Sequence, residues 1–218
     1  MPKFSRSFIG RRKKQRRKLP AVVGITGSLA GGKTTVAGIF KKNGAGVIDA
    51  DKIAHSLLVK GSPVYKKTVL KFGPIILNRD KSINKPGLAD AVFGSKRRLS
   101  SYLKIIHPEI KKTIRQKIRQ KRKAGGRYKI IVLDAPLLIE AGMLSDIDKL
   151  IVVRINKANQ LKRIKAKFGR NEDILKRLKF QIPLSQKSKL ADYIIDNNNP
   201  LKETEKQVKK IWEDLTRG

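Results

Sequence analysis

Between Val22 and Phe40 the chain reads VVGITGSLAGGKTTVAGIF, an apolar run, a glycine-rich bend, one lysine, two threonines and then a helix-like stretch. Gly27-Ser28-Leu29-Ala30-Gly31-Gly32-Lys33-Thr34 fits the pattern G-x-x-x-x-G-K-[ST]. The residue types follow from the chemistry of holding a phosphate. Glycines let backbone N–H groups curl around anionic oxygens, and the helix that follows points its positive end at the same place. Lys33 then reaches the β- and γ-phosphates of a nucleoside triphosphate, while the Thr34 hydroxyl faces Mg²⁺. The bare pattern also arises by chance in a chain rich in glycine and lysine. What separates a phosphate loop from a coincidence is its setting, with a strand before it and a helix after it, and both patterns are present here.

The rest of the chain repeats that alternation. Apolar runs at 21–26, 46–50, 129–135, 149–155 and 193–196 read as strands, and their nearly continuous Val and Ile imply burial on both faces, as in a parallel sheet. Helical patterns fall at about 33–43, 51–59, 62–71, 86–93, 95–123, 157–167, 171–182 and 200–215. Alternation of this kind predicts an α/β doubly wound fold. The interval from 51 to 128 is too long for one crossover and reads as helical throughout, so it is expected to form an insertion between the second and third strands. No internal repeat or linker divides the 218 residues.

Charge narrows the partners but not the fold. There are 52 Lys and Arg against 17 Asp and Glu, a formal net charge of +35. That balance suits polyanionic partners, and it equally describes a lysine-rich surface that is only solvated. Residues 1–19 are expected to be a disordered polybasic extension containing RRKKQRRK at 11–18. A secretory signal is rejected, because the apolar run behind these bases is short, glycine-interrupted and part of the phosphate loop. No segment is apolar for the roughly 18 residues that a membrane helix needs, so membrane insertion is not expected. With no cysteine, disulfides and Cys-ligated zinc are excluded, which fits a reducing, cytoplasmic setting. The basic stretch KKTIRQKIRQKRK (111–123) leaves nucleic-acid association as a secondary reading. Aromatic residues are only 6% of the chain and unclustered, which counts against a base-stacking platform.

Phosphoryl transfer also needs a carboxylate to take the acceptor's proton and cations to hold the moving charge. Open α/β sheets bind ligands beyond the carboxyl ends of their strands. Asp49 and Asp51 in VIDAD, and Asp134 in VLDAP, stand at such ends. Each has an ordinary reading too: Asp51 as a helix cap, Asp134 as a turn former.

Together, GITGSLAGGKTTVAGIFKKNGAGVIDADKIAHSLL, IIHPEI, DAPLLIEAGM, QLKRIKAK and DYIIDNNN occur in the order and spacing of dephospho-coenzyme A kinases, which the chain resembles over about residues 21–215. The resemblance implies a P-loop NTPase-type doubly wound five-stranded parallel sheet flanked by helices. It has a core of 20–60 and 128–218, an inserted helical acceptor-binding subdomain at about 61–127, and a helical lid at about 157–182. It implies transfer of the ATP γ-phosphate, with Mg²⁺, to the ribose 3′-hydroxyl of dephospho-coenzyme A. Asp51 takes the position of the family's catalytic base. Gly27, Ser28, Leu29, Ala30, Gly31, Gly32, Lys33, Thr34 and Thr35 correspond to its phosphate loop. Thr26 precedes that loop as in the family, and His107 with Pro108 matches the HP of the acceptor region. Pro136 and Leu137 follow Asp134 in the third-strand segment, where Asp134 would partner hydrated Mg²⁺. Arg163 and Arg177 match lid arginines, and Asn197 lies at the adenine-side turn. A monomer is expected.

The chain departs from the family in places. Its relatives usually read GGIGSGKST, so Ser28 and Ala30 replace glycines and Gly31 replaces serine. Alanine tolerates fewer backbone angles than glycine, which puts the loop's geometry in question. Lys167 and Lys85 stand where arginine is common, and Arg170 lies close enough to Lys167 to supply the missing planar fork. These departures bear on affinity, not on reaction class. The nearest rival reading is a nucleoside or nucleotide kinase on the same scaffold. A GTPase is disfavoured, since no N-K-x-D guanine-reading motif is present.

Overall fold

All five apolar runs become strands, and all pair in parallel. β1 (Ala21–Gly27), β2 (Gly46–Asp49), β3 (Ile130–Asp134), β4 (Lys149–Arg154) and β5 (Tyr193–Asp196) form one sheet in the order β2-β3-β1-β4-β5. The computed structural model describes residues 19–168 and 181–217. The tail's residues 1–18, Arg170, Arg177 and nearly all of the helix expected at 171–182 lie outside the described residues.

The three inner strands are buried along almost their whole length, because helices cover both faces of the sheet. On one face α1 (Lys33–Lys42) and α8 (Leu201–Arg217) pack Val36, Phe40, Val208 and Ile211 against Val23, Ile25, Val132 and Val153. On the other, α2 (Ala50–Leu57) and α5 (Lys96–Arg122) pack Ile53, Ile114 and Ile118 against Val22, Ile131, Leu133 and Val152. Alternate residues of a strand thus serve opposite layers, as the two-residue period of the pleat requires. Two further helices are described in this part of the chain: α6 (Lys157–Phe168) and the short α7 (Leu184–Lys189), which falls outside the helical patterns predicted from the sequence.

The interval between β2 and β3 carries its own small core. α3 (Pro63–Phe72) and α4 (Lys85–Phe93) enclose Ile76, Leu88 and Val92, with Leu99 and Tyr102 of α5 packed against them. It is not helical throughout, contrary to the sequence expectation. Pro74–Ile76 is a single 3-10 turn, and Leu77 pairs with Ile83 in an antiparallel bridge. Between them Asp80 accepts both the backbone N–H and the hydroxyl of Ser82, a local competition that favours a turn over a helix.

α5 joins the two cores. Its first turns pack on the insertion, and Ile106, Ile110, Ile114 and Ile118 continue as a stripe at four-residue spacing, whose last three members meet the sheet. Pro108 lies inside this helix and leaves the Lys104 carbonyl without its helical donor. Among the described residues no helix is long and apolar enough to cross a membrane.

Candidate active site

The phosphate loop runs from the end of β1 into α1 as the motif predicted. Gly27 has φ 151°, and a Cβ there would stand 2.4 Å from the Val153 carbonyl oxygen. α1 begins at Lys33 with Gly32 as its N-cap, and no side chain caps the first-turn N–H groups. A helix start left open in this way is the arrangement that receives an anion. Lys33 is 7% exposed, and its ammonium folds back to donate to the carbonyls of Gly27 (3.2 Å) and Ser28 (2.7 Å). Burial lowers its pKa to about 8, with the charge of Asp134 opposing the fall. Thr35 and Thr34 are exposed beside it. Ser28 Oγ is buried and has no partner among the described residues.

The loop's departure from its relatives has a structural counterpart. Ala30 adopts φ 56°, the left-handed region that glycine enters freely and alanine does not. At Gly31 a Cβ would lie 2.9 Å from the Ser28 carbonyl oxygen. The Gly31 N–H donates to that same oxygen at 3.1 Å, closing a tight turn. Leu29 accepts a hydrogen bond from the Gln160 side chain of α6 (3.0 Å), a contact that no motif signalled.

Parallel pairing sets the carboxylates at one level. Asp134 stands opposite Asp49 on one side and Ile25 on the other, so three strand ends meet just below the loop. Thr34 donates its hydroxyl to Asp134 across 3.2 Å. Asp134 is only 6% exposed, and burial raises its pKa to about 6 despite Lys33 and the Thr34 hydrogen bond. The cap of α2 is Asp49, whose carboxylate accepts the Lys52 N–H at 2.9 Å, and not Asp51. Asp49 ends β2 and helix begins at Ala50, so Asp51 stands in the first turn of α2 and not at a strand end. Asp51 is exposed in the first turn of α2, and its charge acts on both Lys33 and Asp134.

Other expected residues divide into those joined to this cluster and those apart. Thr26 is fully buried and donates to the Pro136 carbonyl (3.0 Å), tying the root of the loop to the segment after β3. Leu137 is exposed next to it. Asn197 spends its side chain beneath the loop: Nδ2 donates to the Gly31 carbonyl (2.8 Å), and Oδ1 accepts from Thr204 (2.9 Å). The Asn197 carbonyl accepts from Arg163 at 2.8 Å, so Arg163 is held over the loop from α6. His107 has no hydrogen bond to this cluster among the described residues. It lines a groove of about 700 Å³ along α5 with Leu99, Leu103, Lys104 and Lys111. Burial and the charge of Lys111 depress its pKa.

Two residues were missed by sequence reasoning. Lys187 of α7 is 1% exposed and contacts Glu140 (2.8 Å) and the Pro136 carbonyl (2.9 Å). Glu140 was visible inside DAPLLIEAGM, but nothing marks Lys187 among the lysines of SQKSK.

Comparison with known proteins agrees with this geometry. A family model described as dephospho-CoA kinase matches residues 21–203. The dephospho-CoA kinase of Carboxydothermus hydrogenoformans is 40% identical over 202 residues, spanning 90% of this chain and 97% of that protein. That of Aquifex aeolicus is 41% identical over 199 residues, spanning 89% and 97%. Among solved structures, the dephospho-CoA kinase from Campylobacter jejuni superimposes with a TM-score of 0.66 at 29% identity, covering 90% of this chain and 98% of that one. A Thermus thermophilus protein reaches a TM-score of 0.76 at 26% identity, covering 91% and 100%. A loop built for polyphosphate, carboxylates at the adjoining strand ends and relatives matched along nearly their full length lead to one assignment: the chain belongs to the dephospho-CoA kinase family.

Proposed function

We propose that this protein transfers the γ-phosphoryl group of ATP to the ribose 3′-hydroxyl of dephospho-coenzyme A, releasing ADP and coenzyme A, as a cytoplasmic monomer. The observation that carries the reading is the union of an uncapped α1 start, a buried Lys33 and the Thr34–Asp134 pair at one point beyond the strand ends.

The residues suit the groups they would receive. The open N–H groups of α1 and the Ser28 hydroxyl, which has no partner among the described residues, call for an anion, which the triphosphate supplies. Thr34 and Asp134 offer hard oxygens, as Mg²⁺ requires. Bound there, Mg²⁺ would neutralise charge on the β- and γ-phosphates.

Each side chain then has a task. Lys33 leaves the carbonyls of Gly27 and Ser28 for phosphate oxygens. Arg163, braced by Asn197, adds positive charge on the α6 side of the loop. Asp51 accepts the proton of the attacking hydroxyl; its exposure at the head of α2 leaves it open to an acceptor. The α5 groove offers apolar Leu99 and Leu103 beside Lys104 and Lys111, a surface fitted to an acceptor with an aliphatic arm and a diphosphate.

The test is turnover of ATP and dephospho-coenzyme A with both products measured, alongside nucleosides and nucleoside monophosphates as acceptors. Asp51→Asn should reduce kcat by about 10²–10⁴ with little change in ATP binding. Undiminished turnover by that variant would remove Asp51 from the base role, and preference for a nucleotide would replace the acceptor.

A further inference from the structure

Beneath the phosphate loop a buried lysine and a mostly buried glutamate form an ion pair that phosphoryl transfer, as described above, does not use. Lys187 Nζ is 2.8 Å from Glu140 Oε1 and 2.9 Å from the Pro136 carbonyl oxygen. Glu140 Oε1 also accepts the backbone N–H of Ile182 at 3.0 Å. The other carboxylate oxygen, Oε2, is buried with no partner among the described residues. The Pro136 carbonyl receives a second donor, the hydroxyl of Thr26, at 3.0 Å. Thr26 immediately precedes Gly27, whose carbonyl holds Lys33.

This arrangement is costly for stability alone. A buried pair must overcome the desolvation of two charges, and replacing such a pair by uncharged groups of similar size is often neutral or stabilising. Among the described residues one carboxylate oxygen is unsatisfied as well. What the pair gives in return is geometric. One ammonium fixes the carbonyl that orients Thr26, the last residue of β1 before Gly27 opens the phosphate loop. The ammonium also places a fixed positive charge close enough to the loop for Lys33 to sense it.

We propose that Lys187 is a positioning residue for phosphoryl transfer, holding the Pro136–Thr26 brace under the phosphate loop while Glu140 holds Lys187 in place. The proposal rests on the kinase reading above for its activity readout. It predicts that stability and function separate when the pair is removed as a unit.

The experiment compares wild type, Lys187→Met, Lys187→Arg, Glu140→Gln and the double variant Lys187→Met/Glu140→Gln. For each, thermal melting, kcat and KM for dephospho-coenzyme A, and the equilibrium affinity for ATP with Mg²⁺ are measured. Lys187→Met alone strands a buried carboxylate and should melt well below wild type. The double variant strands no charge and keeps an acceptor for the Ile182 N–H, so its melting should return close to wild type. Its kcat/KM should nevertheless stay about tenfold low, because the brace is still gone. Lys187→Arg keeps the cation and offers a second donor to Glu140 Oε2, and should recover activity to within about threefold.

A double variant with kcat/KM within about threefold of wild type overturns the proposal, since the pair then serves only its own neutrality. Should wild type fail to phosphorylate dephospho-coenzyme A, the reaction reading fails instead. The ATP affinity of the double variant then decides the role of Lys187 by the same threefold criterion.

Discussion

Replacing Ala30 with glycine should make this protein more stable, against the usual direction of such a change. Ala30 sits at φ 56°, inside the loop that grips phosphate. The left-handed region costs an L-residue with a Cβ about 1–2 kcal/mol. Glycine pays no such cost, but its freer unfolded chain takes back about 0.4–1 kcal/mol. The difference favours Ala30→Gly by about 0.5–1 kcal/mol. For a chain of this length, about 2–4 °C per kcal/mol translates that into a melting midpoint raised by about 1–4 °C. The assay is thermal unfolding of the ligand-free protein, followed by circular dichroism, with unchanged denaturant m-value as a check that the unfolded state is comparable. The companion change is Gly31→Ser, which restores the residue usual in relatives. Its Cβ would lie 2.9 Å from the Ser28 carbonyl oxygen, so it should destabilise while Ala30 keeps its present conformation. A lower midpoint for Ala30→Gly would refute the claim that strain resides at this residue, and a stabilising Gly31→Ser would refute the claim that the Ser28 turn forbids a side chain.

Asp134 gives a pH-dependent prediction. Burial raises its folded pKa to about 6, above the ordinary 3.8, so its ionised form opposes folding above about pH 6 and that penalty fades as pH falls. With metal chelated, Asp134→Asn should therefore stabilise the protein by about 1–3 kcal/mol at pH 7, with a smaller gain at pH 5, while abolishing Mg²⁺-dependent turnover. An equal gain at both pH values, or a loss, contradicts the assigned cause. Asn197→Ala leaves the Gly31 carbonyl and Thr204 without their buried partner, and should cost about 1–3 kcal/mol in urea unfolding together with weaker ATP binding. Gly32→Ala would place a Cβ 1.9 Å from Asn197 Nδ2 at φ 94°, so ATP affinity measured by titration should fall more than for Asn197→Ala.

The sheet was legible because its strands are short apolar runs buried on both faces, which leave a dense Val and Ile signature. The phosphate loop was legible because only a few residue types let the backbone wrap an anion. Both signals are local. What stayed hidden depends on side chains meeting across long separations. Asp49 and Asp51 are alike in sequence, and only the observed start of α2 at Ala50 shows which one caps the helix. Asn197 follows β5, as its place in DYIIDNNN predicts, but nothing in that stretch announces that its amide lies under Gly31, a partner 166 positions away. Lys187 is one lysine in a very basic chain, and its burial follows from α7 lying against the Pro136 segment, which no periodicity announces. The turn at 78–82 was hidden differently: its signal, an Asp two residues before a Ser, was present but outweighed by the helical patterns on either side.

The strand order carries a consequence for how the enzyme comes into being. Synthesis delivers β1, the phosphate loop and α1 first, but β1 is the central strand, and both of its neighbours come from beyond the insertion. Ala21 must wait for Ile130, and Val23 for Lys149. Until then a strongly apolar strand has two bare edges, the condition under which nascent chains mispair. The insertion, with its own small core between β2 and β3, can collapse during that interval and shorten the loop that must close. Thr34 likewise has no Asp134 to meet until one hundred further residues have been made, so the growing chain gains this hydrogen bond at the strand ends and its completed sheet in the same event.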